Sequence, residues 1–335
     1  MPSHVSLETK NDLKKHKKIL GNRLEEFKTI KGLIGIVLNG GLSRGYSDKY
    51  SEIDVLIYLD GQYYRYYQNI KTPFEVGISM DHGQLYDVSL VSYEDEQEKE
   101  WDSLMCWDRG YAQILYEKDD KITKLYQEKL TKEPPLNDLS SLMFRAHWSI
   151  QITGDVWIHR KDVMQGHLIF NQAIIPLLKC LFIINGEHIP HEKWIMHLSK
   201  TLDKLPDDYE KRLNDAMMVK DDTLASLIQR QKHVKALYLE VNKLIQHTHL
   251  VPSPLDVTHQ YHQSVLDYLI KHQPCPKQDF LDKFDISILN TAPFFPCVTI
   301  KEETIHLDMN KLISLKPSDM YTWHYKLVEY AKKLQ

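Results

Sequence analysis

The stretch from residue 33 to residue 58 constrains the fold of this chain more than any other. It begins with an apolar, partly β-branched run, Leu33–Leu38, which predicts a buried strand. Gly40-Gly41 interrupts that run, and Ser43-Arg44-Gly45 has the composition of a turn that leads into a short helix. A second apolar run at residues 55–59 predicts another strand. The stretch therefore predicts two buried strands joined through a glycine turn.

Two acidic residues stand directly before the second apolar run. Glu52 and Asp54 are two positions apart, and on a strand such residues project from the same face. Two neighbouring carboxylates repel each other unless a cation lies between them, and oxygen ligands of this kind suit Mg²⁺. Gly40 and Gly41 lack a Cβ and let the backbone approach a phosphate closely. The pattern predicts a phosphate site followed by a pair of metal-binding acids.

This order of residues resembles the nucleotidyltransferase superfamily, which has the polymerase-β-like fold. The family signature is an apolar strand, Gly-Gly or Gly-Ser, a spacer of about ten residues, and then Asp-x-Asp or Asp-x-Glu. Gly40-Gly41, Glu52 and Asp54 match it in order and spacing, and residues 85–91 supply the third carboxylate, Asp87, between apolar neighbours. The chain departs from the family at Glu52, where most members have Asp, so a degraded metal site is an alternative.

The resemblance implies a reaction and its cofactors. A nucleoside monophosphate passes from an NTP, ATP being the expected one, to a hydroxyl of an acceptor, and pyrophosphate is released. Two Mg²⁺ ions are implied at Glu52, Asp54 and Asp87. In the family Asp54 bridges both ions, and the third carboxylate serves the ion of the attacking hydroxyl. The expected acceptor is a small hydroxylated compound such as an aminoglycoside or a lincosamide, held in the cleft between domains.

Three other functions remain open at this point. The first is polynucleotide extension, and the second is nucleotidylation of a protein or a tRNA in a toxin–antitoxin setting. The third is a non-catalytic nucleotide-binding sensor whose metal site Glu52 has spoiled. The charge does not favour a nucleic-acid partner, because 42 basic residues are set against 46 acidic residues and the formal net charge is −4.

Ser43 and Arg44 follow the glycines and are candidate ligands of the β- and γ-phosphates. A guanidinium group matches phosphate oxygens with a planar fork of donors. The alternative is structural, with Ser43 capping a short helix and Arg44 pairing with a surface acid. The sequence leaves the choice open for Ser43 and favours phosphate binding for Arg44.

Residues 185–194 form a polar, proline-marked loop between two predicted helices. The loop resembles a segment in the helical halves of bacterial predicted nucleotidyltransferases that faces the catalytic cleft. The resemblance implies that Lys193 contacts the triphosphate and that Glu187 or Glu192 acts as a base. The alternative is a helix cap in which Trp194 is buried and Lys193 is solvated. Arg145 and His147 on the preceding helix are weaker candidates.

Tyrosines and histidines offer two further hypotheses. Tyr58, Tyr63, Tyr64, Tyr66 and Tyr67 could stack on a base, but packing against neighbouring elements is the favoured interpretation. The 17 histidines do not indicate zinc, because neither a His-Glu-x-x-His nor a Cys-x-x-Cys motif occurs.

The composition and the lack of a recognisable signal peptide predict a cytoplasmic protein with no membrane partner. The four cysteines show no close pairing, and the polar N-terminus lacks the apolar core of a signal peptide. Residues 168–184 are the most apolar segment, but polar residues and Pro176 interrupt them, which predicts a buried bundle helix.

The predicted fold class is α+β, with a mixed sheet of the nucleotidyltransferase type followed by an α-helical bundle. The predicted domains are a catalytic domain at 1–132, a helical substrate-binding domain at 136–250 and a small C-terminal extension at 251–335. Prolines near residues 132–135 and 251–254 mark the two boundaries. Residues 93–107 and 139–159 are each predicted as a helix, and 298–307 as a hairpin.

Overall fold

The computed structural model describes residues 7–81, 83–130, 133–134, 136–249 and 254–335. Parts of both predicted linkers, including Lys132, Pro135 and residues 251–253, lie outside these ranges. The structure is α+β, with a mixed five-stranded sheet and many helices. The chain divides into two compact units: unit 1 comprises residues 1–135 and 185–203, and unit 2 comprises 136–184 and 204–335. The predicted three-domain division remains a prediction.

The strands and helices have the following bounds in chain order. The strands are β1 (Leu33–Leu38), β2 (Ile53–Leu59), β3 (Gly77–Asp81), β4 (Gln84–Ser92), β5 (Gln113–Glu117), β6 (Cys275–Pro276), β7 (Val298–Lys301) and β8 (Thr304–Leu307). The first ten helices are α1 (Leu13–Phe27), α2 (Gly40–Ser43), α3 (Gly61–Tyr67), α4 (Tyr93–Glu98), α5 (Ser103–Arg109), α6 (Lys121–Lys129), α7 (Asp138–His147), α8 (Gly154–Arg160), α9 (Val163–Ile184) and α10 (Glu192–Ser199). The remaining helices are α11 (Tyr209–Met217), α12 (Leu224–His249), α13 (Pro254–Lys271), α14 (Lys277–Leu281), α15 (Met309–Ser314) and α16 (Thr322–Lys333).

The sheet of unit 1 has the strand order β3-β4-β2-β1-β5. Strands β2 and β4 are parallel, and the other neighbours pair antiparallel. Parallel pairing needs a crossover between the two strands, which α3 and the antiparallel strand β3 supply. The apolar runs of the sequence coincide with β1 and β2, because both strands are buried on both faces of the sheet.

The two faces of this sheet carry separate cores. One face, with Ile53, Val55 and Tyr86, packs with Phe27 of α1 and with Phe74. The opposite face packs against α5 and α6. The buried residues of this second core are Ile34, Val37, Leu56, Tyr58, Tyr93, Trp101, Cys106, Ile122, Leu125 and Tyr126. Because side chains alternate along a strand, the even-numbered positions of β2, including 54, belong to this second face.

Two predicted helices are interrupted in the structure. Residues 93–107 form α4 and α5 instead of one helix, because the Asp102 side chain accepts a hydrogen bond from Met105 N (2.7 Å) and starts a new helix. Residues 139–159 form α7 and α8 with a π-helical segment, Trp148–Thr153, between them. The break between α4 and α5 depends on the contact of one side chain, and the π-helical segment lies within a continuous helical stretch, so the apolar pattern revealed neither.

Unit 2 is organised around α9, which is mostly buried. This helix is long and apolar enough to cross a membrane, with a mean hydropathy of 1.8, but 67% of its most apolar window is buried inside the protein. It continues through Pro176. The predicted hairpin is present as β7 and β8, and a short strand that the sequence did not indicate, β6, joins its edge.

A close contact between β1 and α6 generates a stability prediction. A Cβ on Gly35 would lie 2.3 Å from Ile122 Cγ1 and 3.2 Å from the Tyr116 carbonyl oxygen. We expect Gly35→Ala to lower the free energy of unfolding by roughly 1–3 kcal/mol through overpacking. Urea unfolding measures this change.

The matched test is the double variant Gly35→Ala/Ile122→Ala. Removing Cγ1 relieves the clash, so the two losses should sum to more than the loss in the double variant. Strictly additive losses would contradict the contact.

Candidate functional site

Three predicted carboxylates lie together at one cavity of unit 1. Asp54 on β2 and Asp87 on β4 are direct partners in the parallel pairing, so their side chains project from the same face. Glu52 lies just before β2. All three line a cavity of about 430 Å³. The structure therefore brings Glu52, Asp54 and Asp87 to one cavity.

Gly40 makes room for the Asp54 side chain. Its backbone has φ +66°, and a Cβ there would lie 1.8 Å from Asp54 Oδ2 and 2.6 Å from its Cγ. The neighbouring Asn39 N donates a hydrogen bond to the Asp54 carbonyl oxygen (2.9 Å). Gly40 and Gly41 both line the cavity. The first glycine thus has a structural task next to the acid, apart from any contact with phosphate.

A fourth carboxylate at the cavity, Asp108 on α5, was not found by sequence reasoning. Its Oδ2 accepts hydrogen bonds from Asn39 Nδ2 (2.6 Å) and from Arg109 Nη1 (3.4 Å), and its Oδ1 lies 3.7 Å from Arg44 Nη2. No motif or periodicity marks Trp107-Asp108-Arg109 in the sequence. Only the tertiary packing of α5 on the sheet reveals the residue.

Arg44 is buried at the edge of this cavity, with 4% of its surface exposed. Its guanidinium carbon lies 3.8 Å from the centre of the Trp107 ring, and Nη2 donates to the carbonyl oxygens of Trp107 and Asp108 (3.3 Å each). Burial lowers the pKa of Arg44, and the charge of Asp108 opposes that shift. Arg44 therefore pairs with an acid, as the structural alternative stated, but inside the protein.

Ser43 is not among the residues that line the cavity. Its Oγ donates a hydrogen bond to the Gly40 carbonyl oxygen (2.7 Å), and its own carbonyl oxygen accepts one from Gln113 Nε2 (2.9 Å). The hydroxyl thus stabilises the glycine turn. Phosphate binding by Ser43 stays a prediction.

Lys193 reaches the cavity from the first turn of α10. It is exposed, and its positive charge lowers the pKa of Asp54. The preceding loop is anchored on α5: the Ile189 backbone N donates to Ser103 Oγ (3.3 Å), and the His191 ring lies 5.5 Å from the Trp107 ring. Residues 185–203 thus belong to unit 1, although they lie in sequence within the predicted helical domain.

The other candidates lie outside the cavity lining. Glu187 and Glu192 are not among the lining residues, and neither are Arg145 and His147. The tyrosines also pack elsewhere: Tyr58 is buried with its hydroxyl 3.1 Å from that of Tyr126, and the rings of Tyr63, Tyr66 and Tyr67 contact one another on α3.

This arrangement of carboxylates shifts the pKa of Asp54. Burial, followed by repulsion from Glu52, Asp87 and Asp108, raises the pKa of Asp54 to about 7. Carboxyl groups placed this close to one another favour a proton or a bound cation. Perturbed carboxyl groups in a cavity are typical of functional sites.

The donor chemistry of the site fits a hard divalent cation such as Mg²⁺, because carboxylate oxygens are its preferred protein ligands. Within the described residues, however, no group of three or more His, Cys, Asp or Glu side chains is arranged as a formed metal site. Glu52, Asp54 and Asp87 line one cavity, and Asp54 and Asp87 also share a sheet face.

Comparison with known proteins leaves the family open. No family model matches the chain, and no curated protein matches it. Among solved structures, a nucleotidyltransferase-like protein from Exiguobacterium sibiricum 255-15 is similar, with a TM-score of 0.39 and 13% sequence identity. The match covers 77% of this chain and 92% of that chain. A likeness this distant does not decide the reaction.

The raised pKa of Asp54 predicts a pH-dependent stability. The native protein holds this proton up to a pKa of about 7, whereas the unfolded chain releases it near 3.8. Between those values the native state binds more protons, so the free energy of unfolding falls as the pH rises, and it levels off above the native pKa. Relative to Asp54→Asn, wild type should lose roughly 2–4 kcal/mol between about pH 4 and about pH 8.

Urea unfolding of both proteins at the two pH values measures this difference. Glu75→Gln, which alters an exposed acid of unit 1 outside the cavity lining, is the matched control and should keep the wild-type profile. Parallel pH profiles for wild type and Asp54→Asn would show that the native protein does not hold this proton.

The contact between Gly40 and Asp54 yields a separate prediction. Gly40→Ala adds both a positive-φ penalty and a clash, so it should destabilise unit 1 more than Gly186→Ala, where φ is +72° and nothing lies within 4 Å of the new Cβ. We expect an excess loss of about 1–3 kcal/mol in the free energy of unfolding. Adding Asp54→Ala should remove most of this excess, and equal losses at the two glycines would contradict it.

Proposed function

We propose that this protein is a nucleotidyltransferase that transfers a nucleoside monophosphate from an NTP to an acceptor hydroxyl and releases pyrophosphate. The observation that carries the proposal is the pairing of Asp54 with Asp87 on adjacent parallel strands, with Glu52 at the same cavity. These are the three carboxylates that the sequence resemblance to the superfamily requires. The positions of Asp54 and Asp87 follow from strand register, which is independent of the sequence motif.

The carboxylates have the composition of a site for two Mg²⁺ ions. Glu52, Asp54 and Asp87 would hold them. When bound, Mg²⁺ lowers the pKa of the attacking hydroxyl and neutralises the charge of the leaving pyrophosphate. The raised pKa of Asp54 supports the proposal, because the free site carries more negative charge than its own side chains neutralise.

The triphosphate lies, in this proposal, between the glycine turn and α10. Gly40 and Gly41 present backbone without a Cβ at the cavity, and Lys193 supplies an exposed ammonium group there. Arg44 is held by Asp108 and Trp107, so it acts by fixing α5 and by adding positive charge at the cavity wall. Ser43 supports the turn through its hydrogen bond to Gly40.

The acceptor binds beside Asp87 in this proposal. The hydroxyl oxygen of the acceptor forms a bond to the α-phosphorus, the bond from that phosphorus to the bridging oxygen breaks, and pyrophosphate leaves with the electron pair. Asp87 orients the hydroxyl and accepts its proton. A small hydroxylated and cationic acceptor, of the aminoglycoside kind, suits a cavity lined by four carboxylates. ATP is the proposed donor, and neither a nucleic acid nor a membrane is part of the proposal.

A nucleotide-binding sensor is the second candidate, and Glu52 is the observation that favours it. A longer side chain in place of Asp displaces the carboxylate relative to the family pattern. A sensor would bind ATP at the same glycine turn without transferring a nucleotide. No feature of the site favours modification of a protein or a tRNA.

The test is Mg²⁺-dependent release of pyrophosphate from ATP with a panel of hydroxylated acceptors. We expect turnover with wild type and a loss of about 100-fold or more in Asp54→Asn and in Asp87→Asn, because each removes a carboxylate charge without changing side-chain size. Glu75→Gln, away from the cavity, should keep wild-type activity.

The alternative outcomes separate the two candidates. Binding of ATP by calorimetry with no turnover under any condition would contradict the transferase and support the sensor. Activity that appears or rises in Glu52→Asp would identify a degraded metal site. Turnover that survives both Asp54→Asn and Asp87→Asn would place the reaction at other residues.

A further inference from the structure

Unit 2 contains a second cavity, of about 800 Å³, that the proposed function does not use. Its walls are α8, one face of α12 and the C-terminal segment from Pro317 to His324, all of which belong to unit 2. This volume lies within the range of small-molecule sites, which is roughly 300–1,000 Å³. The cavity can therefore hold an organic molecule with two or three aromatic rings.

The wall of the cavity is fixed by Asp155 of α8. Its Oδ1 accepts a hydrogen bond from Gln231 Nε2 (2.7 Å), and its Oδ2 accepts from Thr322 Oγ1 (2.7 Å) and Thr322 N (3.2 Å). Gln231 Nε2 also donates to the Ile150 carbonyl oxygen (2.8 Å) in the π-helical segment before α8. Such segments occur frequently at functional sites. The C-terminal segment, α8 and α12 are thus joined at one carboxylate.

Both acids that line the cavity have donors within the fold. Besides Asp155, the second acid is Asp319, which accepts hydrogen bonds from Lys316 N (2.8 Å) and Ser318 Oγ (3.4 Å). These contacts satisfy the carboxylate oxygens locally. The acids therefore stabilise the wall, and they are poor anchors for a cationic ligand.

Arg160 provides the available positive charge. Its guanidinium carbon lies 4.8 Å from the centre of the Trp157 ring, and among the described residues it makes no salt bridge. It is exposed at the cavity, and His159 stands beside it in the lining. A guanidinium group without a carboxylate partner retains its donors for a carboxylate or sulfonate group of a ligand.

The remaining lining is largely apolar, with one neutral imidazole. Ile158, Ile228 and Met320 contribute apolar surface. The Nδ1 atom of His324 is buried without a hydrogen-bond partner in the described part of the chain. Burial lowers the pKa of His324 to about 4, so the ring is neutral near pH 7 and has one nitrogen that donates and one that accepts.

We propose that this cavity binds a small organic anion with an apolar, ring-sized body, whose acidic group pairs with Arg160 while the body fills the space between α8, α12 and the C-terminal segment. The proposal rests on the guanidinium group of Arg160, which has no carboxylate partner among the described residues, and on the volume of the cavity. It is independent of the proposed transferase activity.

The test uses a matched pair of probes, 8-anilinonaphthalene-1-sulfonate and N-phenyl-1-naphthylamine, which share the aromatic body and differ in the sulfonate. Fluorescence titration gives the Kd of each probe, and calorimetry gives the stoichiometry. We expect one sulfonate probe per chain. Arg160→Met keeps the apolar stem and removes the charge, so it should weaken the sulfonate probe by about tenfold or more and the neutral probe by less than about twofold.

Two further variants locate the site. Ser318→Trp places a large ring in the cavity wall and should abolish binding of both probes. Lys271→Met removes an exposed charge of unit 2 outside the cavity and should change neither Kd. The proposal is overturned if the sulfonate probe does not bind saturably or if Arg160→Met leaves its Kd unchanged. It is also overturned if a folded Ser318→Trp variant still binds both probes.

Discussion

The parallel pairing of β2 with β4 is the constraint on which the candidate site depends. It aligns Asp54 with Asp87 across the ladder, so two carboxylates from distant parts of the chain share one face of the sheet. The same face is covered by α5 and α6 over Leu56 and Tyr58 but remains open at the acids. A shift of one residue in this register would turn one acid toward the opposite core, which excludes charge. The buried register thus fixes the chemistry of the cavity.

The glycine turn and α5 complete the site by different means. Gly40 leaves space for the Asp54 carboxylate that a Cβ would otherwise occupy, so position 40 requires glycine as long as position 54 is aspartate. Arg44, three residues beyond the glycine pair, stacks on Trp107 and pairs with Asp108, and thereby joins α2 to α5. Burial of the guanidinium in this contact is tolerated because carbonyl oxygens and a carboxylate surround it. The elements around the cavity are therefore held by polar contacts as well as by the apolar core.

Local patterns predicted the parts of the structure that local physics determines. The apolar runs at residues 33–38 and 55–59 predicted the two strands. Glu52 and Asp54 were found from their spacing after the glycine pair, and Asp87 from the resemblance to the family signature. Asp108 and the cavity beside Arg160 could not be predicted, since both arise from contacts between elements distant in sequence. The breaks after Glu98 and His147 also escaped detection, because the first depends on capping by the Asp102 side chain and the second is a change of hydrogen-bonding pattern within a continuous helical stretch.

The distribution of positive charge leaves the carboxylates around Asp54 without full charge compensation. Two arginines, Arg44 and Arg109, contact Asp108, whereas the group that lowers the pKa of Asp54 is the exposed Lys193. Both arginines thus compensate the charge of Asp108. Here they fix the helix at the cavity wall, and Asp54 remains among three other carboxylates with a raised pKa. Binding of a cation at these acids would remove the repulsion, which links the cost in stability to the proposed chemistry.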